Sequence, residues 1–285
     1  MEQRSARGAV AALGSVIVPA HNEEAVILRT LEPLAPLSAT GEIELVVAAN
    51  GCTDRTVERA RSMPGVVVLD LPTPSKTDAL NAAEAACTSW PRLYVDADIS
   101  IEADSVRAVL ETLRRGGCPA ARPPLTYATR ECSAVVRSYY RARSRLPESR
   151  AHLWGAGVYG LSRAGRARFG QFPPVTADDL YVDSLFRADE KLVVETEPVH
   201  VHVPRDAHSL RQILMRTYKG NRELAALGAL APVEGTTKHV AGQLLRSVRG
   251  PRSFIDAMVY AVLVSEARFA SRRSGTRWER DTSSR

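Results

Sequence analysis

The stretch LYVDADIS, residues 93–100, ends an apolar run in two aspartates, Asp96 and Asp98, separated only by Ala97. Residues i and i+2 of an extended segment face the same way, so both carboxylates address one point beyond the strand's end. Two like charges beside apolar chain are desolvated and repel each other, so another group has to neutralise them. Taken alone, the pair also reads as two solvated loop acids that cap the following helix. A second acidic pair, Asp178 and Asp179, opens a helix in TADDLYVDSLF. The helix dipole favours acids there, and mutual repulsion with partial burial raises a carboxylate's pKa toward the range a general base needs. Asp183, one turn on, reads as a surface residue.

Further along, His200 and His202 alternate with Val199, Val201 and Val203, which puts both imidazoles on one face of a strand. They suit either a structural role or metal ligation. Arg211, Arg216 and Lys219 follow on a helix, with Arg216 and Lys219 on adjoining positions, as a phosphate-facing set or a solvated basic face. Trp154 and Tyr159 sit in the glycine-rich WGAGVYGLSRAG, suited to core packing or to an apolar platform.

The elements that must position these groups alternate over the first hundred residues. SVIVPA (15–20), IELVVAA (43–49), VVVLDL (66–71) and RLYVDAD (92–98) read as strands, separated by helices near Glu23–Leu34, from Thr53 and from Ser75. Strands apolar on both faces and spaced by helices indicate a parallel sheet covered on both sides, half of a doubly wound nucleotide-binding domain. Ligands in such sheets sit beyond the carboxyl ends of the strands, where HNEE, NGCTD and DAD all fall. Beyond residue 100 the pattern gives a helix over 104–115, a strand in PAARPPLTYA, a basic helix over 131–145, an alternating run KLVVETEPVHVHV (191–203), and helices over 209–227 and 253–271. The last has an apolar face.

Bulk properties narrow the class. The chain has 285 residues, 45% hydrophobic and 25% charged, as in an ordinary globular protein. Its net charge of +6 favours anionic partners. Only 6% of residues are aromatic and no basic stripe is interleaved with aromatics, which argues against a nucleic-acid binder. Four scattered cysteines, Cys52, Cys87, Cys118 and Cys132, suggest reduced thiols in a cytoplasmic protein, not a zinc site or disulfide framework. No signal core is visible, and the apolar run AMVYAVLVS falls short of the roughly 20 residues that span a bilayer.

In order and spacing, VIVPAHNEE, NGCTDRT, PSKTDALNAA and YVDADIS resemble the nucleotide-sugar half of family 2 glycosyltransferases. WGAGVYGLSR is similar to that family's acceptor loop, TADDLYV to its acidic pair, and RTYKGNREL to its closing basic motif. The resemblance implies the glycosyltransferase A fold, a Rossmann-like, mixed but mainly parallel α/β sheet with a C-terminal helical extension. It divides the chain into a flexible N-terminus (1–14), a catalytic domain (15–235, with a nucleotide-binding half over 15–100 and an acceptor half over 101–235), a helical extension (236–272) and a basic tail (273–285).

The resemblance also assigns roles. Pro19, His21 and Glu23 after the first strand, Asn50 and Asp54 after the second, and Lys76 would hold the nucleotide sugar. Ala49–Asn50 stands where the family usually has an aspartate pair, so Asn50 would hydrogen-bond as a neutral residue. Asp96 and Asp98 would face the ribose and a divalent cation, Asp98 as the direct ligand, and His202 is a further candidate for the metal. Carboxylate oxygens suit Mg2+ or Mn2+. Asp179 would be the general base, with Asp178 in place of the commoner glutamate. Arg216 and Lys219 would meet the diphosphate, and Trp154, Gly155 and Gly157 the acceptor.

The function implied is inverting, metal-dependent transfer of a sugar from a nucleoside-diphosphate sugar to a hydroxyl of a glycan, lipid-linked or small-molecule acceptor. Two alternatives are a retaining enzyme of the same fold and a non-catalytic basic protein that binds a membrane surface. The amphipathic pattern at 254–272 fits peripheral contact at the inner face of the cell membrane. A nucleotidyltransferase is disfavoured because no glycine-rich phosphate loop follows the first strand.

Overall fold

The structure is a computed structural model that describes residues 11–147, 152–226, 228 and 237–271. The first ten residues and the segment RRSGTRWERDTSSR with Trp278 lie outside the described residues.

Among the described residues, nine strands form two sheets. Strands β1 (Ser15–Ala20), β2 (Glu44–Asn50), β3 (Val66–Leu71), β4 (Arg92–Val95), β5 (Ala120–Arg122), β7 (Val158–Leu161) and β8 (Lys191–Val193) make a seven-stranded sheet ordered β3-β2-β1-β4-β7-β5-β8. Strands β6 (Leu125–Ala128) and β9 (Val199–His202) make a parallel pair. The first four strands are mutually parallel, and β7 runs antiparallel between β4 and β5. Ala20, Asn50 and Val95 therefore end on one edge of the sheet.

Strand β1 is buried on both faces, so its alternate side chains enter two cores. Val16 and Val18 pack with Leu31, Val109 and Leu110 on one side. Ile17 packs with Leu80, Tyr159 and Phe172 on the other. A third cluster, containing Tyr139, Leu210, Leu214 and Leu263, joins three helices, α6 (Ala134–Arg145), α9 (Ala207–Ala226) and α11 (Pro251–Ser271). Asp256 of α11 is buried there and accepts hydrogen bonds from Arg141 at 2.6 Å and Arg145 at 3.1 Å.

Several expected elements differ. The helix anticipated over 23–34 begins only at Ile27, as α1 (Ile27–Leu31), and is followed by α2 (Ala35–Ala39). The backbone amide of Glu23 donates to Thr56 Oγ1, and that of Glu24 to Asp54, so the acidic residues are held in a turn. PAARPPLTYA is split by Pro123–Pro124 into β5 and β6, because proline removes the ladder donor. The run 191–203 likewise divides between two sheets as β8 and β9. Asp183, expected at the surface, is buried, where it accepts from Leu153 N at 2.7 Å and pairs with Lys191 at 3.0 Å. Burial opposes its charge, but His152, the Leu153 amide and Lys191 hold its pKa below the ordinary carboxylate value.

Glu44, at the start of β2, ties this strand to the entry of β4. Its carboxylate accepts from Ser15 Oγ at 2.5 Å, from the amides of Thr88 and Ser89 at 2.9 Å, and from the Thr88 hydroxyl. Burial alone would raise its pKa, but these donors bring it down to about 2. A depressed carboxylate pKa contributes stability above the unfolded value of 4.5 and loses it as pH falls toward the folded value. The shift corresponds to about 3 kcal/mol, and to about 2 kcal/mol after allowance for solvent screening. In urea titrations Glu44→Gln is therefore expected to be less stable than the wild type at pH 7, with the gap closing between about pH 4.5 and pH 2. A gap independent of pH would refute the assignment.

Candidate active site

The loop after β4 is built to expose two carboxylates. Its extended geometry stops at Val95, and Ile99 N donates to Asp96 O at 3.1 Å, closing a tight turn instead of the extended segment expected. The alternation survives nonetheless, with Ala97 and Ile99 buried and Asp96 and Asp98 half-buried. Helix α1 fixes this turn through its main chain. Thr30 Oγ1 donates to Ala97 O at 2.7 Å, and Arg29 to Asp98 O at 3.0 Å. From the other side Asp96 N donates to Gly157 O at 2.8 Å. Gly157 has φ 65°, and a Cβ there would lie 2.5 Å from Ile99 Cγ1 and 3.4 Å from Asp96 Oδ2. Only glycine takes this backbone angle and fits so closely against Ile99.

Lys76 joins this turn to the second acidic pair. It is the first residue of α4 (Lys76–Ala86), whose cap Ser75 accepts from Asp78 N. A cation at a helix N-terminus opposes the dipole, so its placement needs a compensating anion. Two are present. Lys76 Nζ lies 2.8 Å from Asp96 Oδ1 and 2.8 Å from Asp178 Oδ1. Burial works against the ammonium, yet Asp178, Asp96 and Asp179 together hold its pKa well above the usual lysine value. Asp96 titrates upward to about 6, because burial and the repulsion of Asp178 and Asp98 outweigh the attraction of Lys76.

Asp178 and Asp179 open α8 (Asp178–Ser184) but face different surroundings. Asp178 is buried between Lys76 and the Tyr159 hydroxyl, which donates to its Oδ2 at 3.1 Å. Asp179 is half-buried and accepts the Gly155 amide at 2.8 Å and the Leu180 amide at 2.8 Å. Gly155, at φ 76°, turns its N–H toward that carboxylate. Burial, then repulsion from Asp178, raises the Asp179 pKa. The result is one carboxylate locked as a counter-ion and a half-buried neighbour with an elevated pKa.

The remaining candidates fall into three groups. Pro19 is buried within β1, and Asn50 is buried with its amide donating to Ala20 O at 2.9 Å, so it staples two strand ends together. The half-buried His21 meets Asn50 O through Nδ1 at 2.6 Å, and Asp54 Oδ1 accepts from Thr56 N at 3.0 Å. Thus the turns after β1 and β2 are mutually braced, with Glu23 half-buried between them.

On the acceptor side Trp154 packs beside Val175, Leu180 and Leu224 with the Arg143 guanidinium 4.9 Å from its ring centre. Tyr159 does not form a platform with it, being buried and stacked on Tyr94 at 4.7 Å. Arg216 and Lys219 are half-buried on α9. That helix passes close to the acidic pair, because a Cβ at Gly220 would meet Ala177 Cβ at 3.1 Å.

The histidines separate. His200 Nδ1 bonds Thr126 Oγ1 at 2.9 Å. The isolated antiparallel bridge Ser100↔His200 brings β9 alongside this turn, and His202 lies near enough to Asp98 for their charges to interact. Desolvation and the nearby Arg29 lower the His202 pKa, with Asp98 opposing. Sequence spacing missed Arg29 and Thr30 on α1 and Arg143 on α6, which reach the site with no shared motif, and it did not foresee the hydrogen bond from Tyr159 to Asp178.

Among the described residues, no three histidine, cysteine, aspartate or glutamate side chains converge as a complete metal cage. Asp96 and Asp98 offer only hard oxygen donors, and Asp96 carries more negative neighbours than Lys76 offsets. This donor set fits a divalent cation that takes its other ligands from substrate phosphate and water.

The fold and the sequence both have relatives. Residues 15–150 match the model of glycosyl transferase family 2. The fold is similar to a mannosyltransferase from Pyrobaculum calidifontis, solved in complex with GDP-Man and Mn2+, with TM-score 0.57 and 18% identity over 94% of this chain and 77% of that one. It is also similar to glucosyl-3-phosphoglycerate synthase from Mycobacterium tuberculosis in complex with phosphoglyceric acid, with TM-score 0.55 and 24% identity over 77% of this chain and 81% of that one. None of the curated proteins matches the sequence. The mixed, mainly parallel sheet has the glycosyltransferase A architecture of these neighbours, and residues 15–150, a little under half of the chain, match glycosyl transferase family 2.

Proposed function

We propose that the chain transfers a sugar from a nucleoside-diphosphate sugar to an acceptor hydroxyl with inversion, and that Asp179 is the general base. The observation that carries this reading is the division of labour between adjacent aspartates. Asp178 is neutralised by Lys76, whereas the half-buried Asp179 is held by the Gly155 and Leu180 amides. In a single displacement the acceptor oxygen bonds to the anomeric carbon as the bond to the diphosphate breaks. The bonding electrons leave with the diphosphate and the hydroxyl proton passes to Asp179. Its raised pKa improves it as an acceptor of that proton.

Asp96 and Asp98 would hold Mg2+ or Mn2+, with His202, near Asp98, as a further candidate ligand that does not converge with the two carboxylates in this structure. The bound ion would act as a Lewis acid toward the phosphoryl oxygens. Lys76, Arg216 and Lys219 lie on the helices that flank this position and supply positive charge to a diphosphate. The turns carrying His21, Glu23 and Asp54 line the same sheet edge and would hold the nucleoside, with Pro19 and Asn50 as their buried footing. Gly155 bonds Asp179, Trp154 precedes it in the chain, and Gly157 lies against Asp96; together they would shape the acceptor side. The GDP-Man and Mn2+ carried by the Pyrobaculum enzyme support this class of donor and cation.

Thermal shift with UDP- and GDP-sugars, in Mn2+ and after chelation, tests the donor side. A donor at a hundred times its dissociation constant adds about 2.7 kcal/mol to stability. The matching nucleotide is expected to raise Tm only with the cation present, and an equal rise after chelation would remove the metal from the reading. Proton NMR of the product's anomeric coupling separates inversion from retention.

A further inference from the structure

The C-terminal helix α11 has two unlike faces. Asp256, Ala257, Leu263 and Ala267 are buried against the rest of the chain. On the opposite side Phe254, Ile255, Met258, Val262 and Phe269 are each at least 50% exposed. At 3.6 residues per turn these five fall within an arc of about 100°, so they form one stripe. Leu245, on α10 (Thr237–Arg246), is 70% exposed. Single exposed apolar residues are ordinary, whereas a contiguous stripe marks a contact surface.

The stripe begins beside a strongly basic recess. A cavity of ≈ 460 Å³ is lined by Arg141, Arg145, Arg249 and Arg252, with Asp256 at its base. Asp256 pairs with Arg141 and Arg145, so four guanidiniums face one carboxylate. Arg145 Nε is buried without a hydrogen-bond partner. Arg249 and Arg252 are exposed and join no ion pair among the described residues. Pro251 and Arg252 connect the recess directly to Phe254 and Ile255.

We infer that this surface docks the protein on an anionic lipid bilayer, with headgroup phosphates in the arginine recess and the stripe entering the acyl boundary. A basic rim around a one-sided apolar helix is the chemistry of an interfacial helix. No helix among the described residues is long and apolar enough to cross a membrane, so α11 lies along the surface. A second copy of this chain fits less well, because it would bring the same net positive charge to the recess. The sequence after Ser271 continues the basic trend, with five arginines and Trp278 in fourteen residues. The docking stands apart from the choice of sugar or acceptor.

Co-sedimentation of the full chain with vesicles tests it. Binding is expected to vesicles containing phosphatidylglycerol and not to pure phosphatidylcholine, and to weaken at high salt. Arg249→Glu with Arg252→Glu should weaken binding at least tenfold, since both arginines would then repel the anionic surface they attract. Phe254→Ser with Ile255→Ser should weaken it about tenfold or more with unchanged Tm, as both side chains are exposed. Absent binding to the anionic vesicles, or equal binding to both vesicle types, overturns the inference. So does a serine variant that binds like wild type, since the stripe then takes no part. Light scattering that shows a dimer lost in the serine variant would assign the face to a second copy instead. Calorimetric binding of inorganic phosphate that survives while vesicle binding is absent would make the recess a site for a free anion.

Discussion

Asp179→Asn is expected to lower the transfer rate by about a thousandfold while donor binding persists, since a positioned general base contributes roughly 10²–10⁴ in rate. The variant keeps one carbonyl-type oxygen for the Gly155 or Leu180 amide and loses the other acceptor. Its stability should therefore fall by only about 1 kcal/mol. Asp178→Asn should behave differently. It removes the charge opposite Lys76 and weakens the partner of the Tyr159 hydroxyl, so its main effect falls on stability. Transfer assays beside donor-induced thermal shifts distinguish the two. The wild-type rate should also decline on the acid side at a higher pH than an ordinary carboxylate would give, because the base titrates above its usual value. Near wild-type turnover in Asp179→Asn would end its assignment as the base.

How much of this was legible in the sequence depends on whether the signal is local. The ends of β1, β2 and β4 could be located because each strand is an apolar run closed by a polar turn, and parallel pairing brings those ends to one edge. Breaks inside apparently continuous runs were not, although Pro123–Pro124 carries a readable signal. The division of residues 191–203 depends on Glu195–Pro198 leaving one sheet for another, a tertiary choice invisible to alternation. Asp183 looked exposed because its buried partners, Lys191 and the Leu153 amide, lie in other elements. Tyr159 read equally as core or as a ligand platform, because an aromatic beside glycines has the same pattern whether it faces a ligand or stacks on Tyr94.

The opening puzzle of two aspartates beside an apolar run also has a partner the spacing did not supply. Lys76 lies twenty residues before Asp96, yet its ammonium touches both that carboxylate and Asp178. Without a bound cation it is the group holding the two acidic pairs together. Lys76→Gln leaves Asp178, only 3% exposed in its side chain, without its charge partner. Breaking a buried ion pair from one side costs about 3–5 kcal/mol, and the 40% exposure of the Lys76 side chain reduces this to about 2 kcal/mol. For a chain of this size that is a fall in Tm of about 4–8 °C. Millimolar Mn2+ should restore part of the loss and stabilise Lys76→Gln more than wild type, because a dication beside Asp96 and Asp98 replaces charge that the wild type already has. Donor-dependent stabilisation should weaken as well, since the proposed diphosphate would lose the positive charge of this ammonium. A variant as stable as wild type in chelator, with the same response to Mn2+, would show that Lys76 is a bystander and that the acidic pairs are balanced elsewhere.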